Sequence, residues 1–275
     1  MNTQDILDLS LEMAGFDFLP DDTRIYNPRE DVQRILLGID IDEEDLRSAK
    51  ERGFDLVLAH HPPVKVGIEG VLPRHIDLMI QAGVPKAKAE VAYEKHFAYL
   101  SSRWSPGEPG PSHEHFSEVA RSLDLGFMNI HLPCDEIGRL ILQKTVDELP
   151  RGAGVKDLMN AFATLPEIAT AGEGVELVSG KSNSPAGRRI IIHAAGTNGG
   201  HAVATALFEV GYDTVVYIHL HEEQAELLRA EARGNLITTG HYGSDSLGIN
   251  PLVDRLRAAG MEVELCNKMV ARLPM

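Results

Sequence analysis

RILLGIDIDEEDLRSAKERGFDLVLAHHPP (34–63) decides the fold. RILLGID has the aliphatic density of a buried strand. IDEEDLRSAKERG is polar, with Leu46 and Ala49 at helical spacing and Gly53 as a C-terminal stop. FDLVLAHHPP is a second apolar strand that ends in His60, His61, Pro62 and Pro63. Strand, helix and strand in so short a stretch make a βαβ unit, which implies a parallel sheet.

A second stretch repeats that grammar. Residues 189–192 read as a strand, AAGTNGG as a glycine turn, HAVATALFEVG as a helix, and YDTVVYIHLH as the next strand, again ending in histidine. His61 stands eight positions after Gly53, and His219 eight positions after Gly211. This is either a weak internal repeat or the likeness that any two βαβ units share. Between the two units, residues 76–100 read as a helix and 105–115 as a Pro/Gly loop. HFSEVARSLDLG reads as a helix, FMNIHLP as a short strand and DEIGRLILQKTVDELP as an amphipathic helix. NLITTG, a helix from about His241 to Ala259, and the strand MEVELC complete the chain. The alternation of strands and helices sets the class as α/β. The expected division is a discontinuous unit of 1–130 plus 236–275, which includes 64–125, and a second α/β unit over 131–235.

The chain has 26 Lys and Arg against 41 Asp and Glu, a net charge of −15. That balance argues against sequence-independent binding to nucleic acid or to anionic membrane. The start, MNTQDILDLSLEMAGF, has no basic leader before an apolar core, and no apolar run approaches the roughly 20 residues of a spanning helix. A cytoplasmic protein is expected. Cys134 and Cys266 are too few for a disulfide framework and lack the spacing of a structural zinc site.

Catalytic groups of open α/β sheets sit beyond the carboxyl ends of strands. Four predicted strand ends carry ligand-type residues: His60 and His61, His131 with Asp135, His219 and His221, and His241 with Asp245. Imidazole with carboxylate suits zinc, iron, manganese or cobalt. Adjacent histidines point to opposite faces of a regular strand; His60 and His61 can serve one centre only where the strand has stopped. His241 and Asp245 share a face if a helix begins near His241. Asp135 is a ligand or a helix cap. Cys134 is a soft ligand or a small buried residue. Asn198 and Gly199 lie in a turn that either cradles an anion with backbone N–H groups or is simply tight. EGVELVSGKS has the wrong spacing for a phosphate loop, and no G-x-S-x-G elbow is present.

The ordered set LVLAHHPP, NIHLPCDEIG and TTGHYGSD resembles the NIF-three-like dinuclear-metal family, whose members are often called GTP cyclohydrolase type-two homologues. The resemblance extends over about 34–63, 126–140 and 189–260 and is specific as an ordered set. It implies two α/β domains with a pair of divalent metal ions in the cleft between them, and a homo-oligomer, commonly a hexameric ring. Matched residue by residue, His60, His61, Asp135, His241 and Asp245 become the metal ligands. His131 becomes a weak ligand or a residue behind the ligands, with acid–base work as a further role. Asp245 stands where the family usually has glutamate. The family's Trp-Asp-Asn region has no clear match around Phe18 to Tyr26, and 64–125 resembles nothing in the family. The resulting expectation is a metal-dependent hydrolase of a phosphoester, nucleotide or cyclic amide, with His219 and His221 farther from the metals. The competing reading is a non-catalytic metal-binding scaffold or regulatory protein.

Overall fold

The computed structural model describes residues 1–63, 73–103, 113–194 and 198–270. Most of the Pro/Gly loop expected at 105–115 falls outside the described residues. The decisive stretch folds as read. Strand β2 (Arg34–Gly38) leads to α2 (Glu43–Glu51) and then to β3 (Leu56–Ala59). Asp42 caps α2, accepting from the backbone N–H groups of Glu44 and Asp45 at 2.8 and 3.0 Å. That satisfies donors which the first helical turn leaves open.

Strands β1 (Arg24–Asn27), β4 (Gly126–Asn129) and β9 (Glu262–Cys266) complete the first sheet, in the order β1-β4-β3-β2-β9 among the described residues. Only β1 runs antiparallel to its neighbour. The second sheet contains β5 (Glu176–Ser179), β6 (Arg189–Ile191), β7 (Thr214–Tyr217) and β8 (Asn235–Thr238) in the order β5-β8-β7-β6. Here β5 is the antiparallel edge. Strands β3, β4, β7 and β8 are buried along their whole length. A parallel strand covered by helices on both faces reads as a continuous apolar run for that reason.

Alternation along the strands sorts the core into layers. Ile35, Leu37, Leu56 and Leu58 face α1 (Thr3–Ala14) and α11 (His241–Ala258). Leu36 and Val57 face α2 and α5 (His113–Ser122). In the second sheet, Ile191, Val216 and Ile237 pack on α6 (Leu132–Glu148), α7 (Val155–Ala163) and α8 (Pro166–Ala171). Val215, Tyr217 and Leu236 pack on α3 (Pro73–Gln81), α4 (Lys86–Arg103), α9 (Gly200–Glu209) and α10 (Glu222–Glu231). Helix α6 gives Cys134 to the first core and Leu142 to the second, and α11 is divided in the same way between Leu252 and Leu247. These two helices lie between the sheets and belong to both.

Three expectations change. The helix read over 76–100 is two helices, α3 and α4, because Gly83 turns to φ +95° and Pro85 supplies no N–H to continue the first. These helices lie on the second sheet, although 64–125 was expected with the first unit; Leu78, Met79 and Ala89 pack there with Val203 and Leu207. The expected boundary at 236 falls inside β8, whose partners are β7 and β5. The chain leaves the second sheet through α11 instead. No helix among the described residues is long and apolar enough to cross a membrane.

Candidate metal centre

The parallel strands carry their C-terminal residues to one place between the sheets. After β3, the N–H groups of His60 and His61 bond to Gly38 and Ile39 carbonyls, both at 2.9 Å. In a regular strand successive N–H groups point to opposite sides. The chain has therefore turned, and the two rings come together with centroids 4.9 Å apart. After β4, His131 precedes α6 and its carbonyl accepts from Asp135 N at 3.1 Å, the first turn of that helix. After β8, His241 opens α11, and Asp245 follows one turn later. Gly248 allows α6 and α11 to touch, since a Cβ there would sit 2.1 Å from the Cys134 carbonyl oxygen. A side chain at that contact would push Asp135 and Asp245 apart.

Asp135 and Asp245 are almost wholly buried, and both face His60. His60 Nε2 lies 3.3 Å from Asp135 Oδ1 and 3.8 Å from Asp245 Oδ1. His61 Nε2 and His241 Nε2 lie 3.4 and 3.2 Å from Asp245 Oδ2. His131 Nε2 is 3.8 Å from Asp135 Oδ2. The far nitrogens of His60 and His61 are anchored. His60 Nδ1 is 3.0 Å from the Ile130 carbonyl oxygen, which can only accept, so Nδ1 carries the proton. His61 Nδ1 is 2.8 Å from Asp40 Oδ1, and Asp40 is held in turn by Lys268 Nζ at 3.0 Å. His131 Nδ1 lies 2.8 Å from Asp22 Oδ2, at ion-pair distance but without hydrogen-bond alignment. A carboxylate or carbonyl behind an imidazole fixes the tautomer that presents the other nitrogen as a lone pair.

The result is a buried cluster of acceptors. His60 Nε2, His131 Nε2, His241 Nε2 and both oxygens of Asp245 are buried without a hydrogen-bond partner. Each such group costs about 1–3 kcal/mol. Three overlapping sets can hold a metal ion: His60, His61 and His131; His61, His241 and Asp245; His60, Asp135 and Asp245. A cation among them would satisfy these lone pairs, so the donor set fits a metal site. In the metal-free arrangement protons partly take that place. Burial alone would depress His61, but Asp245 and Asp40 outweigh it and raise its pKa to about 10. For His60 burial prevails, and its pKa is lowered despite Asp135 and Asp245. Burial also works to raise Asp245, yet His61, His60 and His241 bring it down to about 2. Asp135 is likewise held low against burial by His193 and His131.

His60, His61, His131, Asp135, His241 and Asp245 thus meet at one point. Asp135 is no N-cap; it lies inside the first turn of α6 and faces the rings. His219 stands nearer than expected, with its ring 4.6 Å from that of His241. The cause is that β7 and β8 are neighbours, so the residues leaving them travel side by side. His221 is exposed, its Nδ1 3.1 Å from Tyr99 Oη. Asn198 Oδ1 accepts from Ile218 N at 2.8 Å, and the N–H of His201 in the turn after Gly199 and Gly200 is taken by Gln224 Oε1 at 3.0 Å. Of the expected anion turn, these groups serve the protein's own packing. Cys134 is buried, and burial pushes its thiol pKa up, as for a packing residue.

Sequence reading missed His193. It follows β6, is fully buried, and places Nε2 3.3 Å from Asp135 Oδ1. The strand-end rule that found His60 and His131 would have found it too. Asp22 and Asp40 were also missed. Asp22 lies in an irregular segment with no periodicity to mark it.

Of the six residues that meet at the centre, His61 and His241 reach solvent most, their side chains 19% and 27% exposed. A pocket of about 200 Å³ opens beside His241 and is lined by His219, Glu173, Glu176 and Arg229 among others.

The sequence profile of the Duf34/NIF3 family (NGG1p interacting factor 3) matches residues 24–83. A NIF3 superfamily protein from Sphaerobacter thermophilus is 40% identical, with a TM-score of 0.89, over 98% of this chain and 99% of its own. That coverage takes in most of 64–125, so the segment has a counterpart in at least one relative. Reduced HcgD from Methanocaldococcus jannaschii is similar in fold at 12% identity and a TM-score of 0.62, covering 96% of this chain and 97% of its own. A hypothetical protein from Staphylococcus aureus gives 13% and 0.55, over 97% and 96%. No curated protein matches the chain.

Proposed function

The chain belongs to the Duf34/NIF3 family, and from that premise we propose that it is a metal-dependent hydrolase with a pair of divalent transition-metal ions. His60, His61, Asp135, His241 and Asp245 would hold them. The substrate class is a phosphoester, nucleotide or cyclic amide. One observation carries the reading: the bare Nε2 of His60 faces two buried carboxylates, an arrangement of acceptors alone that calls for a cation between them.

When bound, such ions polarise a substrate oxygen and lower the pKa of a coordinated water toward neutrality. The chain's own residues supply the rest. Ile130 and Asp40 orient His60 and His61. His193 holds Asp135 in place through Oδ1. His131, with Asp22 beside its Nδ1, presents Nε2 toward Asp135, where it would take a proton from water or return one to a leaving group. Glutamate in place of Asp245 would reach one methylene farther into the same space.

The scaffold reading predicts a closed centre. The exposure of His61 and His241 and the pocket beside His241 favour access instead. Elemental analysis of tag-free protein tests the metal. Hydrolysis of nucleotides, phosphodiesters and cyclic amides by loaded and chelated protein tests the activity. We expect Asp245→Asn to lose most turnover and Asp245→Glu to keep it within about tenfold, or 1.4 kcal/mol of barrier. Metal-dependent turnover that survives both Asp245→Asn and His241→Ala would defeat the mechanism. A loaded centre with no turnover on any substrate would favour the scaffold. Assembly as a homo-oligomer in the cytoplasm belongs to the same proposal; a monomer in light scattering at micromolar concentration would remove it.

A further inference from the structure

We propose that the pocket beside His241 is a substrate subsite, and that it takes a nitrogen group offering N–H donors, such as an amine or a cyclic amide, rather than a phosphate. Its floor is the carboxyl edge of the second sheet, where Ile218 and His219 leave β7 and Thr238 and Gly240 leave β8. Open parallel sheets bind ligands at that edge. His241 belongs both to this pocket and to a set of residues able to hold a metal ion, so a group bound here adjoins the centre. At about 200 Å³ the pocket is smaller than the ~300–1,000 Å³ that drug-sized ligands fill, and it suits one ring or a short chain.

The lining decides the chemistry. It carries three carboxylates, Glu173, Glu176 and Glu222, against one guanidinium, Arg229. Arg229 is already engaged: Nη1 donates to Glu222 Oε1 at 2.5 Å, and Nε donates to the Val178 carbonyl at 3.0 Å. Its charge is matched by Glu222, which leaves Glu173 and Glu176 as the net charge of the pocket. Glu173 is fixed over the first turn of α11, where its Oε2 accepts from Gly243 N at 3.3 Å. A phosphate entering here would meet like charge and find the only guanidinium occupied. A cationic or N–H-bearing group would meet acceptors. Of the three substrate types, this selects the cyclic amide or another nitrogen compound for the part held in the pocket.

The inference rests on the metal-centre reading only in placing this subsite next to the reacting bond. The test uses full-length, metal-loaded protein with three probes: methylguanidinium, 2-pyrrolidone and inorganic phosphate. Binding is followed by ligand-observed NMR, and metal content is measured on every sample. Methylguanidinium and 2-pyrrolidone should bind the wild type. The double variant Glu173→Gln/Glu176→Gln should weaken methylguanidinium about tenfold while metal content stays the same. Glu176 is exposed on an edge strand, so Glu176→Lys retains the fold; it should weaken methylguanidinium likewise and improve phosphate binding. The proposal falls if neither donor probe binds the wild type, or if both variants bind them as the wild type does. Protein that binds methylguanidinium through these glutamates but holds no metal would keep the subsite and overturn the metal reading. Metal-loaded protein that binds neither donor probe would do the reverse.

Discussion

His61 and His96 are both largely buried imidazoles, yet His61 keeps its proton up to a pKa of about 10 while His96 is depressed to about 3. His61 sits between the sheets with Asp245 and Asp40 against its two nitrogens. His96 lies on α4 in the outer layer, near His75 with ring centroids 5.8 Å apart, and neither of its nitrogens has a hydrogen-bond partner. Burial drives its pKa down, and His75 and His221 add to the effect. Burial opposes charge in both places. The partners decide the outcome: carboxylates make one region a place for cations, and their absence makes the other a neutral packing site.

The strongest way to break this contrast is to remove a carboxylate from the centre. Asp135→Ala leaves His193 and His60 facing each other without their anion. It should cost about 3–5 kcal/mol in chelated protein and abolish most metal binding, read by denaturant unfolding and elemental analysis. Full metal content in this variant and in His61→Ala would show that the ligands lie elsewhere.

A gentler change tests the support behind a ligand. Asp40→Asn should weaken metal affinity by about 10–100-fold, as is usual when the group that orients a metal-bound imidazole is lost. The same site predicts a pH dependence. A metal must displace the proton on His61, so apparent affinity should climb as pH rises toward about 10 and level off beyond it. Calorimetry in buffers of different ionisation enthalpy would count the protons released. Metal affinity independent of pH from 7 to 9 would contradict the role of His61.

The smallest effect belongs to His96. Its folded pKa lies below the ordinary value, so its contribution is complete above pH 6.5 and is lost as pH falls toward about 3. At pH 5.5 the expected loss is about 1.4 kcal/mol. His96→Leu should flatten this acid limb relative to wild type, whatever its effect at pH 7. An unchanged limb in that variant would assign the acid sensitivity to other groups.

The strands and helices around 34–63, 126–148 and 189–258 were legible because fully buried strands and capped helices leave a local mark. Asp135 and Asp245 were legible as candidates because each lies one helical turn after a histidine at a strand end. Asp22 left no such mark, since its role comes from meeting His131 across 109 positions of sequence. The same holds for the place of α3 and α4. Their apolar faces show that they pack on something, and only the folded chain shows that it is the second sheet.

The sequence by itself determined the class, the parallel units and the residue types that could bind a cation, because hydrophobic period and side-chain chemistry are properties of short stretches. The tertiary structure alone decided which strand ends converge and that α6 and α11 are shared by both sheets. It also decided that Lys268 anchors Asp40 and that His193 completes the centre while His96 stays outside it. Those facts depend on which backbone approaches which, and at Gly248 that approach is set by a contact between two helices that no local stretch contains.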